Sequence, residues 1–264
     1  MGLKRENLIS HRFRGFGELE NTIPSLEAAL DAGVRILEFD VRMAKCGTPM
    51  VYHDEHAPSA DGERKLCEVM ARDYAAVGGR FATMPTLDAL LGAAVAHAND
   101  ALLLVDIKDA GFEEAIRALV RAHGLAGRVV YVSWLPEVLY AVRALEREAR
   151  LCLSHWASSP SLAARAVHDV HVSRDGDVPC PAPTPLGERS GWWLQQPLAG
   201  DLAEMVEFVC IPAGDVSAEL VEHYRGLGIA VTAFSYVMVE AAEAAHAQGV
   251  DPLFIDARRV FDAV

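Results

Sequence analysis

ILEFDVRM, residues 36–43, reads as a strand with two unlike faces. Side chains alternate along a strand, so Leu37, Phe39 and Val41 point one way while Glu38 and Asp40 share the other. LLLVDIK, residues 102–108, repeats the pattern and puts Asp106 and Lys108 on one face. Similar short apolar runs recur, giving eight candidate strands near 7–12, 35–42, 101–108, 128–134, 150–156, 207–212, 229–236 and 252–256. Ala-rich segments with helical spacing separate them, at 24–33, 86–98, 112–124, 136–149, 161–168, 217–227 and 238–248. Strands alternating with crossover helices describe a parallel α/β sheet, and eight such units favour a closed (β/α)8 barrel over a doubly wound sheet. The 264 residues match one barrel domain, usually of about 250.

Two segments break the rhythm. Residues 44–84 hold a hairpin turn at Lys45-Cys46-Gly47, the short strand of MVYHD (50–54) and a polar stretch before MPTLDALL (84–91), and read as an insertion between the second and third barrel strands. Residues 169–200, with CPAPTPLG and the pair Trp192-Trp193, read as a long loop whose tryptophans either serve plain packing or line the pocket or a homo-oligomer interface. Thr22 before Pro24, and Thr86 before an apolar run, are expected helix starts.

Composition excludes several classes. Aromatics make up only 7% of residues, so the core must be filled by Ala, Val, Leu and Ile, which suits barrel layers. A formal net charge of −13 argues against a nucleic-acid partner, which needs clustered Lys and Arg. The start MGLKRENLISHRF carries no apolar run or myristoylation pattern, so a cytoplasmic protein without a membrane anchor is expected. Cys46, Cys67, Cys152, Cys180 and Cys210 form no CxxC pair and are expected to be reduced.

The polar face of the strands carries the chemistry. Adjacent parallel strands would bring Glu38, Asp40 and Asp106 to one barrel mouth, where three carboxylates repel unless cations compensate them. Oxygen ligands alone point to one divalent ion, Mg2+ or Ca2+; ion pairs with rim Arg and Lys are the competing reading. His11 ends the first strand within SHRF and His53 ends the inserted strand within VYHD. Two imidazoles beside an acid cluster can give and take protons near neutrality. Asp54 would either tune His53 or serve the turn.

HRFRGFGELENT (11–22), GVRILEFDVRMAKCGTPMVYHD (33–54), MPTLDALL and LLLVDIK together resemble the glycerophosphodiester phosphodiesterases. The likeness concentrates in residues 7–108; beyond them only barrel rhythm and GVDPLFID (249–256) match. The resemblance implies a TIM barrel with a small inserted subdomain and metal-dependent hydrolysis of a small-molecule phosphodiester to an alcohol and a phosphomonoester. It implies a divalent metal at Glu38, Asp40 and Asp106, phosphate contacts from Arg12 and Lys108, and a first loop organised by Glu20. His11 is then assigned as general base and His53 as general acid, an order the residues leave open. Departures fall on the pocket walls. Phe13 replaces the family's glycine, Cys46 replaces the hairpin Asp, and Ala233-Phe234-Ser235-Tyr236 replaces Trp-Thr-Val-Asn, while Asp256 remains. Phe234 and Tyr236 are therefore candidates for a substrate-binding ring wall, with simple barrel packing as the alternative. The alternatives are phospholipase D-like cleavage of lysophospholipids on the same barrel, and a barrel that binds phosphate esters without turnover.

Overall fold

In chain order the strands are β1 (Leu8–His11), β2 (Ile36–Met43), β3 (Pro49–Val51), β4 (His56–Ser59), β5 (Gly62–Lys65), β6 (Leu102–Ile107), β7 (Val129–Ser133), β8 (Arg150–Ser154), β9 (Phe208–Pro212), β10 (Ala230–Tyr236) and β11 (Leu253–Ile255). β1, β2 and β6 to β11 run parallel in the order β1-β11-β10-β9-β8-β7-β6-β2, and the pairing of β1 with β2 closes the ring. The structure, a computed structural model, describes residues 2–155 and 200–264. The helix expected at 161–168, Cys180 and the Trp192-Trp193 pair lie outside them, as does all but residue 200 of the expected loop.

Alternation fills both sides of this ring. Inward positions such as Ile9, Leu104, Val130, Val132, Cys152 and Phe254 form a buried cluster in the lumen. Their outward neighbours, among them Leu8, Leu37, Phe39, Leu103, Val105 and Leu151, belong to a larger core shared with the helices. A strand buried on both faces must be apolar on both, which is why these runs are nearly continuous in hydrophobicity.

The helices are α1 (Ile23–Asp31), α2 (Tyr74–Val77), α3 (Leu87–Ala96), α4 (Glu113–Ala122), α5 (Pro136–Leu145), α6 (Asp201–Met205), α7 (Ala218–Gly226), α8 (Val239–Ala247) and α9 (Arg258–Asp262). Thr86 caps α3 as expected, its hydroxyl accepting from the Ala89 N–H at 3.1 Å. Thr22 precedes α1 but does not cap it: its hydroxyl donates to the Leu19 carbonyl at 2.9 Å, and Pro24 opens the helix without an N–H.

Between β2 and α3 the insertion leaves the barrel. The chain reverses over Lys45–Gly47, with the Ala44 N–H on the Thr48 carbonyl at 3.0 Å and Gly47 at φ +75°, a region that favours glycine. β3 then returns antiparallel to β2. Beyond it the β4–β5 hairpin and α2 pack on a separate small core built on Tyr52, Ala57, Leu66, Tyr74, Phe81 and Met84. Cys46, Cys152 and Cys210 are free thiols, as expected. Cys67 departs from that expectation and is disulfide-bonded; with Cys46 free, the bond does not close a loop within the insertion. Among the described residues no helix is long and apolar enough to cross a membrane.

Candidate active site

Register assembles the site before any side chain turns. His11 lies opposite Glu38 across the β1–β2 pair, and Asp40 lies opposite Asp106 across β2–β6. All four sit toward the carboxyl ends of their strands and face inward, above the apolar layers of the lumen. Glu38, Asp40 and Asp106 are buried, and one oxygen from each lies within 4.8 Å of the others.

The loop after β1 is folded down onto this cluster. Arg12, Phe13 and Asn21 have φ of 57°, 61° and 55°, left-handed values that are costly for residues other than glycine. Tertiary bonds hold them there. The Arg12 N–H meets the Glu38 carbonyl at 2.9 Å, the Asn21 N–H meets the Arg12 carbonyl at 2.9 Å, and the Asn21 amide donates to Asp40 at 2.8 Å. Phe13, in the place of the expected glycine, is fully buried and packs at 6.0 Å on Phe39. Glu20 pairs with both Arg12 and Arg14 and so organises this loop.

Two cations balance part of the acid charge. Arg12 Nε lies 3.2 Å from Asp40, and Lys108 Nζ lies 3.1 Å from Asp40 and 2.7 Å from Asp106. Burial would raise the Asp40 carboxyl, but Arg12 and Lys108 hold it well below its ordinary range. Glu38 goes the other way: burial and the charges of Asp40 and Asp106 push its carboxyl well above that range. Asp106 Oδ1 is buried and accepts no hydrogen bond. An acid cluster still short of positive charge, with an orphaned carboxylate oxygen, fits an oxygen-liganded divalent cation such as Mg2+ or Ca2+.

Each histidine has an aspartate behind it. His11 Nδ1 is 2.6 Å from Asp256 Oδ1, while its Nε2 faces Glu38 Oε2 at 3.8 Å. Burial would raise the Asp256 carboxyl, but the His11 hydrogen bond, Ser235 and Arg14 hold it below its ordinary range. Asp256 is thus an acceptor, so Nδ1 carries the proton and Nε2 presents a lone pair to the cavity. Burial lowers the His11 imidazole to about 4 against the pull of Asp256. His53 Nδ1 sits 2.5 Å from Asp54 Oδ1; burial and Lys108 lower the His53 imidazole.

His11, Arg12, Glu38, His53, Asp106 and Lys108 line one cavity together with the apolar Val132, Trp134, Phe234 and Phe254. Phe234 meets Trp134 edge to face at 5.9 Å. Tyr236 is not in that lining. The β10–β11 register shifts between Ala233 and Tyr236, breaking the alternation that would have put Phe234 and Tyr236 on one face, and Tyr236 is buried in the core shared with the helices. From sequence Asp256 was noted only as the Asp that remains of the family's pattern, with no partner assigned, and Ser235, Arg14, Asn21 and Trp134 were not singled out as site residues. Trp134 could have been found by continuing the inward row of Val130 and Val132; Arg14 and Ser235 carry no comparable signal.

A model of the glycerophosphoryl diester phosphodiesterase family matches residues 5–258. Human glycerophosphodiester phosphodiesterase 1 is 26% identical over 172 residues, covering 59% of this chain and 51% of the human one, so the chain spans about half the length of that curated relative. Among solved structures, a Silicibacter pomeroyi protein superposes with a TM-score of 0.73 at 22% identity, over 99% of this chain and 94% of that one. An Oleispira antarctica phosphodiesterase, solved with the product sn-glycerol-3-phosphate, follows at 0.69 and 19%, over 99% of this chain and 96% of that one. At these identities the structures establish the fold, and the family model, which runs through nearly every residue that builds the cavity, establishes the kinship: the chain belongs to the glycerophosphoryl diester phosphodiesterase family.

Proposed function

We propose that this protein is a metal-dependent phosphodiesterase that cleaves a glycerophosphodiester-type substrate to an alcohol and a phosphomonoester, glycerol 3-phosphate where the substrate is a glycerophosphodiester. The observation that carries this reading is the buried Glu38–Asp40–Asp106 cluster, with its orphaned oxygen, in a cavity that also holds two Asp-backed histidines. A divalent cation held by the three carboxylates would supply positive charge to the phosphoryl oxygens in the transition state.

The chain's own groups divide the remaining work. Arg12 and Lys108 face the same cavity and offset the other phosphoryl charge. His11, held by Asp256 with Nε2 toward the cavity, takes the proton from the attacking water or vicinal hydroxyl as the oxygen–phosphorus bond forms; attack by the hydroxyl gives a cyclic phosphate, which water then opens to the phosphomonoester with the two histidines exchanging roles. His53 gives a proton to the leaving alkoxide as the opposite phosphorus–oxygen bond breaks. Trp134 and Phe234 offer the leaving alcohol an apolar wall. The partner is a small molecule; a formal net charge of −13 argues against a nucleic-acid role.

The test is a panel of diesters, from glycerophosphocholine to sugar phosphodiesters, run with Mg2+ or Ca2+ and again with chelator. Phosphomonoester and free alcohol should appear only without chelator. Chelator-resistant turnover would overturn the metal's role, and silence across the whole panel would leave a binding barrel.

A further inference from the structure

Glu38 and Asp40 are followed on the same face of β2 by Arg42, the most deeply buried cation in the described part of the molecule, at 1% exposure. Its guanidinium is committed in two directions. Nη1 meets Asp109 Oδ1 at 2.9 Å, and Nε donates to the backbone carbonyl of His53 at 2.7 Å. Asp109, equally buried, takes the Met43 N–H on its other oxygen at 2.9 Å. Asp109 directly follows Lys108, whose own N–H is bonded to the Val41 carbonyl at 3.1 Å.

A buried ion pair is a poor way to gain stability, since apolar side chains of similar volume serve as well or better. Its worth here lies in geometry. His53 comes from the insertion, beyond the end of β3 at Val51, where the last backbone tie to β2 is the Tyr52 N–H on the Asp40 carbonyl at 3.1 Å. Past that point the Arg42 bond holds the His53 carbonyl and so helps set the backbone direction that aims the His53 ring. The planar fork of arginine bridges Asp109, just past β6, and the His53 carbonyl, just past β3, through donors of fixed relative direction, which a lysine ammonium cannot do. We infer that Arg42, locked by Asp109, is a positioning residue that registers His53 against the barrel cluster for protonation of the leaving group. This rests on the general-acid role given to His53 above.

The experiment compares two diesters that share one phosphoryl half, one losing an alkyl alcohol and the other p-nitrophenolate, under saturating Mg2+. Arg42→Lys keeps a positive partner for Asp109 but loses the fork; the double variant Arg42→Met with Asp109→Leu removes the pair as a unit. Both should lower kcat on the alkyl diester about 10–100-fold, the range expected for a misplacement near 1 Å. KM should change little, and the p-nitrophenyl diester, which needs no proton, should be turned over at close to the wild-type rate. If the double variant does not fold, Arg42→Lys decides alone. His53→Ala is run alongside. Selective loss in His53→Ala with none in the Arg42 variants refutes the clamp alone, and so does an equal loss on both diesters or a change confined to KM. Absence of leaving-group selectivity in His53→Ala as well refutes the acid assignment on which the clamp rests.

Discussion

Replacing Asp256 with asparagine keeps the shape of the side chain and removes its charge. Asp256 accepts three bonds: His11 Nδ1–H at 2.6 Å on one oxygen, and Arg14 at 2.9 Å and Ser235 at 2.6 Å on the other. An amide has one oxygen for these two positions. With the oxygen toward His11, its NH2 would confront the Arg14 guanidinium, which can only donate. With the oxygen toward Arg14, its NH2 would meet His11 Nδ1, which accommodates it by moving its proton to Nε2. A hydrogen bond to a charged group is worth about 1.5–3 kcal/mol, more than a tautomer change in a neutral imidazole, so the second arrangement prevails. His11 then presents an N–H where the base should be. In an Asp–His dyad forced into the wrong tautomer, kcat falls about 10⁴-fold. Steady-state kinetics on an alkyl diester at pH 7–8 should show that fall with KM little moved, and 15N NMR of the imidazole should show the proton on Nε2. A kcat within tenfold of wild type, or a proton still on Nδ1, would refute the reasoning.

Three further outcomes follow from the same site. His11→Ala and His53→Ala should each lower kcat by roughly 10²–10⁴, the double variant should be scarcely worse than the worse single one, and p-nitrophenolate as leaving group should rescue His53→Ala only; rescue of His11→Ala instead would reverse the two roles. Glu38→Gln should weaken Mg2+ binding in calorimetry while raising the melting temperature of the metal-free protein, because the Glu38 carboxyl is already pushed up by burial and by the charges of Asp40 and Asp106; a drop in both would mark Glu38 as structural. The metal-free protein should lose stability in acid, since the folded His11 value of about 4 lies below its ordinary 6.5. The unfolded chain therefore binds the proton first, so this contribution is intact above about pH 6.5 and declines as pH falls toward 4, by on the order of 3 kcal/mol; urea melts at pH 7 and pH 4.5 should lose that difference in His11→Gln.

The legible part of the site is the part that obeys a period. In ILEFDVRM and LLLVDIK the two-residue repeat of a strand put Glu38, Asp40 and Asp106 on inward faces, and parallel register then set Asp40 beside Asp106. The same reasoning failed at Tyr236, where the irregularity in β10 shifts the count within two residues. It was silent on the dyads' longer partner, because His11 and Asp256 stand 245 residues apart and meet only when β1 pairs with β11 to close the ring. The loop 12–22 was opaque for a different reason. Its left-handed Arg12, Phe13 and Asn21 exist because β2 bonds Arg12 and Asn21 and packs Phe39 on Phe13, so no local preference could announce them.

The insertion carries a core of its own, distinct from the two clusters of the barrel. A segment with separate packing can open as a cooperative unit at a free energy below that of global unfolding. Since this unit delivers His53, its excursions would silence proton donation while the barrel, His11 and the carboxylate cluster stay folded. Warming should then produce a window in which hydrogen exchange quickens across residues 52–84 and alkyl diesters cease to turn over, while p-nitrophenyl diesters are still cleaved.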